Sequence, residues 1–191
     1  SAAPVCPKTQ FQLSGPAGMA SYKWSITGNG SLVGATNQQS VTVRAGTNCA
    51  ESLTVGLTIG TALCTDATSV EFMVQDLDAP VIAALPAPST INCPATPVFA
   101  VATASDACGS VFTLTFADVK TDGACAGSYS VTRTWTATDT CGNSSTASQT
   151  IHVVDNTAPV IAALPALSTI NCPATPVLAV ATATDGCGRG F

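Results

Sequence analysis

The chain has 191 residues, a formal net charge of -5 and only 9% charged residues. Its 28 Thr and 17 Ser supply polar surface instead, and this β-branched, hydroxyl-rich composition favours strands. Because Leu, Glu, Lys and Arg are scarce, a coiled coil and an all-α bundle are excluded. Three Lys and three Arg are too few to bind nucleic acid, and with no run of 18 apolar residues we expect no membrane insertion.

Residues 1–76 predict a first β-sandwich domain. The segment 20–27 alternates apolar and polar side chains, with Tyr22 and Trp24 on the apolar face. The segments 53–59 and 70–74 alternate in the same way, which is the period of half-buried antiparallel strands.

An internal repeat follows this domain. Residues 79–109 recur at 158–188 with an offset of 79, and only four of the 31 positions differ. A unit of this size is a small domain rather than a solenoid repeat. The sequence therefore predicts a complete repeat at 77–155 and the first half of a second, truncated repeat at 156–191. We expect either that the chain is a fragment of a longer protein or that another chain completes its tail.

Strand patterns continue through the complete repeat. Residues 112–116 and 147–154 alternate apolar and polar side chains, and residues 128–139 place four Thr on one face. Arg133 falls on the opposite face, with Trp135. Short strands with frequent turns are typical of an immunoglobulin-like fold. The predicted fold class is all-β, with tandem, disulfide-stabilised immunoglobulin-like β-sandwich domains.

Nine Cys accompany a single His, and none of them forms a CxxC pair, so a zinc site is not indicated. The alternative of nine buried free thiols in a cytosolic protein is disfavoured, because the cysteines recur at a fixed register. The pattern instead indicates disulfides and an oxidising, extracellular location.

The spacing of the cysteines suggests a pairing within the complete repeat. Cys93 and Cys108 lie 15 residues apart, and Cys125 and Cys141 lie 16 apart. If the two intervals run side by side across a sandwich, matching ends meet and give Cys93–Cys125 and Cys108–Cys141. The alternative, Cys93–Cys108 with Cys125–Cys141, would bring together the two ends of an extended strand.

The same scheme predicts Cys6–Cys49 in the N-terminal domain and leaves Cys64 as the odd thiol. Cys172 and Cys187 are expected to find partners in the part of their repeat that the chain does not contain.

Acidic residues cluster in linkers and turns. Asp76 and Asp78 lie in the first linker, and Asp106 and Asp139 lie in turns expected at the same pole. Calcium prefers six to eight oxygen ligands, so these four residues are a candidate Ca²⁺ site at the domain junction. The second junction holds the corresponding pair Asp155 and Asp185. In the alternative interpretation, each Asp shapes its own turn and binds no ion.

Longer motifs carry a family resemblance. The stretches INCPATPVFAVATASDACG and GACAGSYSVTRTWTATDTCGNSSTASQTIHVVDNTAP resemble hyalin-repeat-like (HYR-like) domains of secreted Bacteroidota proteins. Residues 1–76, with SGPAGMASYKWSITGNGSLVG, resemble the PKD-like domains found beside them. Such domains are stacked in large surface adhesins, including gliding-motility adhesins of the SprB type.

The resemblance implies a non-catalytic stalk segment of a secreted cell-surface adhesin for attachment or gliding motility. It further implies export by the type 9 system and attachment at the outer membrane. The expected partners are neighbouring repeats of the same chain and an extracellular polysaccharide or surface ligand. No enzyme is expected, because the sole histidine, His152, alternates onto a solvent face and only two Glu are present.

Two other functions remain open from the sequence. The modules are compatible with accessory domains of a secreted polysaccharide-degrading enzyme. They are also compatible with a subunit of an extracellular filament, whose half repeat is completed by strand addition from another chain.

Overall fold

The computed structural model describes residues 4–125, 127–166 and 168–187. The described residues form β-strands, turns and extended segments and contain no α-helix. The predicted all-β, disulfide-stabilised fold class is therefore confirmed.

The N-terminal domain is a sandwich of two three-stranded sheets. Its strands are β1 (Gln10–Ser14), β2 (Ser21–Gly28), β3 (Gly30–Val33), β4 (Ser40–Ala45), β5 (Glu51–Gly60) and β6 (Thr65–Val74). One sheet has the order β1-β4-β3 and the other β2-β5-β6, and all of these pairings are antiparallel.

The apolar faces predicted from alternation form the core of this sandwich. Trp24 pairs with Leu57 across β2 and β5, and its indole N–H donates to the carbonyl of Gln38 at 2.8 Å. Lys23, on the other face of β2, is exposed. The fully enclosed members of the core are Trp24, Val41, Val43, Ala45, Leu53, Val55, Leu57 and Val74.

Six strands belong to the complete repeat. They are β7 (Val81–Ile82), β8 (Ser89–Asn92), β9 (Ala104–Ser105), β10 (Phe112–Asp122), β11 (Tyr129–Asp139) and β12 (Ser144–Val154). A four-stranded sheet has the order β10-β11-β12-β8, and β7 pairs with β9. Strand β8 lies parallel to β12, with Asn92 opposite Val154.

The second copy of the repeat begins with the same structure as the first. Its strands β13 (Val160–Ile161) and β14 (Ala183–Thr184) pair antiparallel, as β7 and β9 do. Every paired residue lies 79 positions after its counterpart, so the near-identical sequences give the same local pairing.

The described residues form two compact units. Unit 1 comprises those of 1–83, 102–115 and 136–146, and unit 2 those of 84–101, 116–135 and 147–187. The strands β10, β11 and β12 each contribute residues to both. The domain boundaries at 76/77 and 155/156 stay a prediction. Within the described part of the chain, no helix has the length and apolar character needed to cross a membrane.

Candidate functional site at the domain junctions

Two disulfides in unit 1 join the N-terminal domain to the repeat. Cys6 is bonded to Cys108 and Cys49 to Cys141, with Cα–Cα distances of 5.3 and 5.4 Å. The bonded residues are 102 and 92 positions apart in the sequence. Both bonds therefore cross the predicted boundary between the first two domains.

Backbone hydrogen bonds place Cys6 and Cys49 where the chain leaves the N-terminal domain. Next to Cys6, the N–H of Val5 donates to the carbonyl of Met73 at 3.0 Å. Next to Cys49, the N–H of Ala50 donates to the carbonyl of Val74 at 2.8 Å. Since β6 ends at Val74, both cysteines lie at the end of the domain that precedes the linker.

The partners Cys108 and Cys141 lie where the chain enters the repeat. The sulfur atom of each of these cysteines lies within 4.8 Å of a carboxylate oxygen of Asp76, which lies in the linker. The linker is tied to the Cys141 turn as well, because the side-chain amide of Asn143 donates to the carbonyl of Asp76 at 3.0 Å.

The predicted pairings Cys6–Cys49, Cys93–Cys125 and Cys108–Cys141 are therefore wrong. So is the alternative in which neighbouring cysteines of the repeat pair with each other. Both of these pairing schemes join cysteines within one domain. In the structure, each disulfide instead joins cysteines of two successive domains of the chain.

Unit 2 contains the third bond, between Cys93 and Cys187, with a Cα–Cα distance of 5.5 Å. Cys187 was expected to pair within its own repeat, and this expectation is also wrong. Cys125, predicted to be bonded, is a free and exposed thiol. Cys64 is free and exposed, as predicted, and so is Cys172.

The aspartates of the first junction accept hydrogen bonds from the backbone of their own turns, and Asp76 also accepts one from a side chain of the repeat. Asp76 is 3% exposed, and its carboxylate accepts from the N–H of Asp78 at 3.0 Å and from the hydroxyl of Ser110. The Asp139 carboxylate accepts from the N–H groups of Cys141 at 2.8 Å and Asn143 at 2.9 Å. These bonds fix the shape of the linker and of the β11–β12 turn around the disulfides.

Asp106 differs from Asp76 and Asp139 because one of its carboxylate oxygens accepts no hydrogen bond from the described residues. Its Oδ1 accepts from the N–H of Ser110 at 3.1 Å, whereas its Oδ2 is buried without a donor among the described residues.

The second junction repeats this arrangement in unit 2. Asp155 accepts from the N–H of Thr157 at 3.0 Å, and Asp185 accepts from that of Cys187 at 2.9 Å. The Asp155 carboxylate also lies within 4.8 Å of the sulfur atoms of Cys93 and Cys187. A carboxylate beside a disulfide is thus a feature of both junctions.

These contacts agree with the turn-shaping role of the aspartates. Two clusters of possible metal ligands include Asp76. One consists of Asp76, Asp78 and Cys108, and the other of Asp76, Asp139 and Cys141. Because those cysteines are disulfide-bonded, they offer no thiolate, and calcium prefers oxygen ligands in any case. The calcium site stays a prediction.

Sequence reasoning placed Arg133 on the same face as Trp135 but missed the other partners of this cation in unit 2. The Arg133 guanidinium lies over the rings of Phe99 and Phe116, at 4.5 and 3.9 Å from their centroids. It also forms two 2.7 Å hydrogen bonds with the carboxylate of Asp118, which lower the pKa of that carboxyl. The signal in the sequence was an Arg on the same face of a strand as Trp135.

Comparison with known proteins finds a family of domains to which the repeat is similar. Residues 81–153 match the model of the HYR-like domain with 4 cysteines, which supports a HYR-like repeat domain in this segment, as the resemblance implied. No curated protein matches the chain. The HYR-like match and the disulfides are those of an extracellular type of domain.

Three solved structures resemble the chain. Mouse clustered PcdhgC3 EC1-3 is 12% identical with a TM-score of 0.31, over 80% of this chain and 64% of that one. Human CDH23 EC21-23 is 15% identical with a TM-score of 0.33, over 86% and 68%. The endo-fucoidan hydrolase MfFcnA4 from glycoside hydrolase family 107 is 14% identical with a TM-score of 0.30, over 81% and 27%. The chain thus spans less than two thirds of the first and third of these.

Proposed function

We propose that the chain is a non-catalytic segment of an extracellular stalk, whose domains are joined by disulfides in addition to the peptide linker. The observation that carries this proposal is the pairing of Cys6 and Cys49 with cysteines of the following repeat. Domains joined by a linker alone move relative to each other by default. Two further covalent links beside the linker oppose that motion.

The disulfides also shorten the covalent route that tension takes through the chain. Tension applied to the two ends passes from Cys6 directly to Cys108, and from Cys93 directly to Cys187. Between these bonds it runs through the 15 residue steps that separate Cys93 from Cys108. Residues 7–92 and 109–186 lie off this route, so pulling on the ends does not stretch them to their full length.

Force spectroscopy on the full chain, held at its two termini, tests this proposal. An extended chain spans at most about 3.3–3.6 Å per residue. With the disulfides intact, we expect the span from Cys6 to Cys187 to reach roughly 50–55 Å plus the two sulfur bridges. After reduction, the same span should reach roughly 600–650 Å.

The variant Cys64→Ser is the matched control, because it removes a free, exposed thiol and should leave the oxidised length unchanged. Pairing within domains, with Cys6 bonded to Cys49, would allow the oxidised chain to extend to roughly 350–380 Å. A length in that range would overturn the proposal.

For the whole protein, we propose a secreted cell-surface adhesin that serves attachment or gliding motility. Export by the type 9 system and attachment at the outer membrane are parts of the same proposal. The support for them is the resemblance of residues 1–76 to PKD-like domains and of residues 77–155 to the HYR-like domains of Bacteroidota adhesins. In such a protein, this segment contributes reach, and the partner of each domain is the next domain in the chain.

A further inference from the structure

The disulfides Cys6–Cys108 and Cys93–Cys187 follow the same pattern. In each, the first cysteine lies in the N-terminal part of its domain. The residue before Cys6 pairs in parallel with Val74 at the end of the last strand of its domain. The residue before Cys93 pairs in the same way with Val154 at the end of β12. Cys6 and Cys93 are each bonded to a cysteine of the next copy, Cys108 or Cys187, and these two lie 79 positions apart. A cysteine in this position, Cys6 or Cys93, is therefore bonded to the domain that follows in the chain.

The first junction contains a second forward bond, and the repeat contains one half of its counterpart. Cys49 precedes β5, and Cys125 precedes β11; each of these is the strand before the last one of its domain. Cys49 is bonded to Cys141 in the β11–β12 turn, whereas Cys125 is free.

Cys125 also lies at the end of its domain, as Cys49 does. The N–H of Ser128 donates to the carbonyl of Cys125 at 3.1 Å, and the N–H of Asp155 donates to the Ser128 hydroxyl at 3.3 Å. Since β12 ends at Val154, the Cys125 turn is hydrogen-bonded to the residue where the chain leaves the repeat.

A cavity of about 400 Å³ lies beside this turn in unit 2. Its lining includes Gly127, Lys120 and Tyr129, together with both cysteines of the Cys93–Cys187 bond. A Cβ at Gly127 would lie only 2.9 Å from the carbonyl oxygen of Cys187. The Cys125 turn is thus in close contact with the copy of the repeat that follows.

We propose that Cys125 forms a disulfide with the cysteine that corresponds to Cys141 in a following copy of the repeat, and that the turn carrying that cysteine occupies the cavity. The inference deepens the proposed function and rests on it for the presence of further copies. The pattern of Cys6 and Cys93 likewise assigns Cys172 to the counterpart of Cys108 in the copy after that. Each junction then carries two disulfides, as the first one does.

Formation of the bond is a two-electron oxidation. Two thiols lose two protons and two electrons, and a disulfide oxidant takes them up by thiol–disulfide exchange and becomes two thiols. In the cell envelope or outside the cell, such oxidants keep structural disulfides formed. In the test below, oxidised glutathione supplies this role and yields two molecules of reduced glutathione.

The near-equal cysteine intervals acquire a physical reason from this pairing. Cys93 and Cys108 bound 15 residue steps, and Cys125 and Cys141 bound 16. With both bonds present at each junction, every repeat carries tension along two covalent routes of almost the same length. Both routes then become taut together, so neither bears the whole force.

A tryptic map without reduction tests the proposal. Trypsin releases residues 121–133, whose single cysteine is Cys125, and cannot cut within residues 134–155, whose single cysteine is Cys141. In the chain itself, the peptide that begins at residue 134 runs on to Arg189 and also contains Cys172 and Cys187, whereas a copy of residues 134–155 at the end of the chain is a separate peptide with one cysteine. We would extend the chain after Cys187 with a second copy of residues 109–155, in which the counterpart of Cys125 is replaced by Ser. After oxidation with glutathione and alkylation, peptide 121–133 should be linked to the copied peptide 134–155. Its alkylated form should decrease about tenfold relative to the chain without the extension.

Replacing the copied counterpart of Cys141 by Ser is the matched control, and it should restore alkylation of peptide 121–133. The same map on the full protein from secreting cells covers the case in which the extended chain does not fold. Alkylated Cys125 in both samples, or Cys125 linked to Cys64, Cys93 or Cys172, would overturn the inference. If the tryptic map shows the expected Cys125 link but the oxidised chain still extends to a long length under force, the proposed function alone would be overturned.

Discussion

The N-terminal domain and the repeat that follows it are stabilised in different ways. Eight enclosed apolar residues form one cluster between the two sheets of the N-terminal domain. Among the described residues of the repeat, the buried apolar side chains are Pro80, Trp135, Ala137, Ile151 and Val153. Val98 and Val101 are 83% and 93% exposed. The first domain relies on an apolar core, whereas the repeat relies more on bonds at its ends and on the Arg133 stack.

This difference explains how near-identical small domains can be strung in series with so few charged or aromatic residues. A domain of about 80 residues has a limited core, and disulfides commonly supply the missing stability. By placing its cysteines at the ends, the repeat obtains stability and connection to its neighbours from the same bonds.

The largest expected effect is that of reduction, and the two tryptophans allow it to be measured in each domain separately. Trp135 reports on the repeat in the variant Trp24→Phe, and Trp24 reports on the N-terminal domain in Trp135→Phe. Loss of a native disulfide costs a small domain about 2–5 kcal/mol. All three disulfides end in the repeat. We therefore expect reduction to lower the free energy of unfolding that Trp135 reports by about this amount for each bond, and the free energy of unfolding that Trp24 reports by less.

Cys64→Ser is again the control, since it leaves all three disulfides in place. Equal losses at both tryptophans would contradict the comparison, because they would show that the apolar cluster does not stabilise the N-terminal domain independently of the bonds.

A smaller effect is expected from a single change in the apolar cluster. Leu53 is 0% exposed, and Leu53→Ala should destabilise the N-terminal domain by about 3–5 kcal/mol through lost burial and a cavity. Leu63→Ala is chemically the same change at a residue that is 97% exposed, and it should cost less than about 0.5 kcal/mol. Urea unfolding followed by Trp24 fluorescence measures both. A similar cost at the two positions would show that the core does not carry the stability of this domain.

The smallest effect concerns the ion pair of the Arg133 stack. Hydrogen bonding to Arg133 lowers the pKa of Asp118 in the folded protein, so folding favours the charged carboxylate. Its contribution to stability is therefore present at neutral pH and is lost as the pH falls through the lowered pKa, below about pH 4. Asp118→Asn should lower the Trp135 unfolding midpoint at pH 7, and this difference should shrink as the pH falls through the lowered pKa.

Asp122→Asn is the matched control, because the Asp122 carboxylate is 86% exposed and lies 3.4 Å from Lys120. Such an exposed pair contributes little at any pH. An Asp118→Asn effect that persists undiminished at acidic pH would point to packing of the side chain rather than to its charge.

Local pattern predicted the strands and the repeat, but it did not predict the junctions. Alternation placed Trp24 and Leu57 in the core because side chains on a strand point to opposite faces by geometry, whatever the rest of the chain does. The aspartate turns were equally accessible to sequence reasoning, since Asp139 bonds to groups within four residues of itself. The sequence predicted the Arg133 stack only in part, because its partners Phe99 and Asp118 lie on other segments of the chain.

By itself, the sequence determined that this is an all-β chain with a 79-residue repeat and with disulfides, since each of these follows from local periodicity or register. Only the tertiary structure decided which cysteines meet. The bonded pairs are 92 to 102 residues apart, and their proximity depends on where whole strands end and on which domain end faces the next one. No local pattern encodes that distance, because it arises from the packing of complete domains.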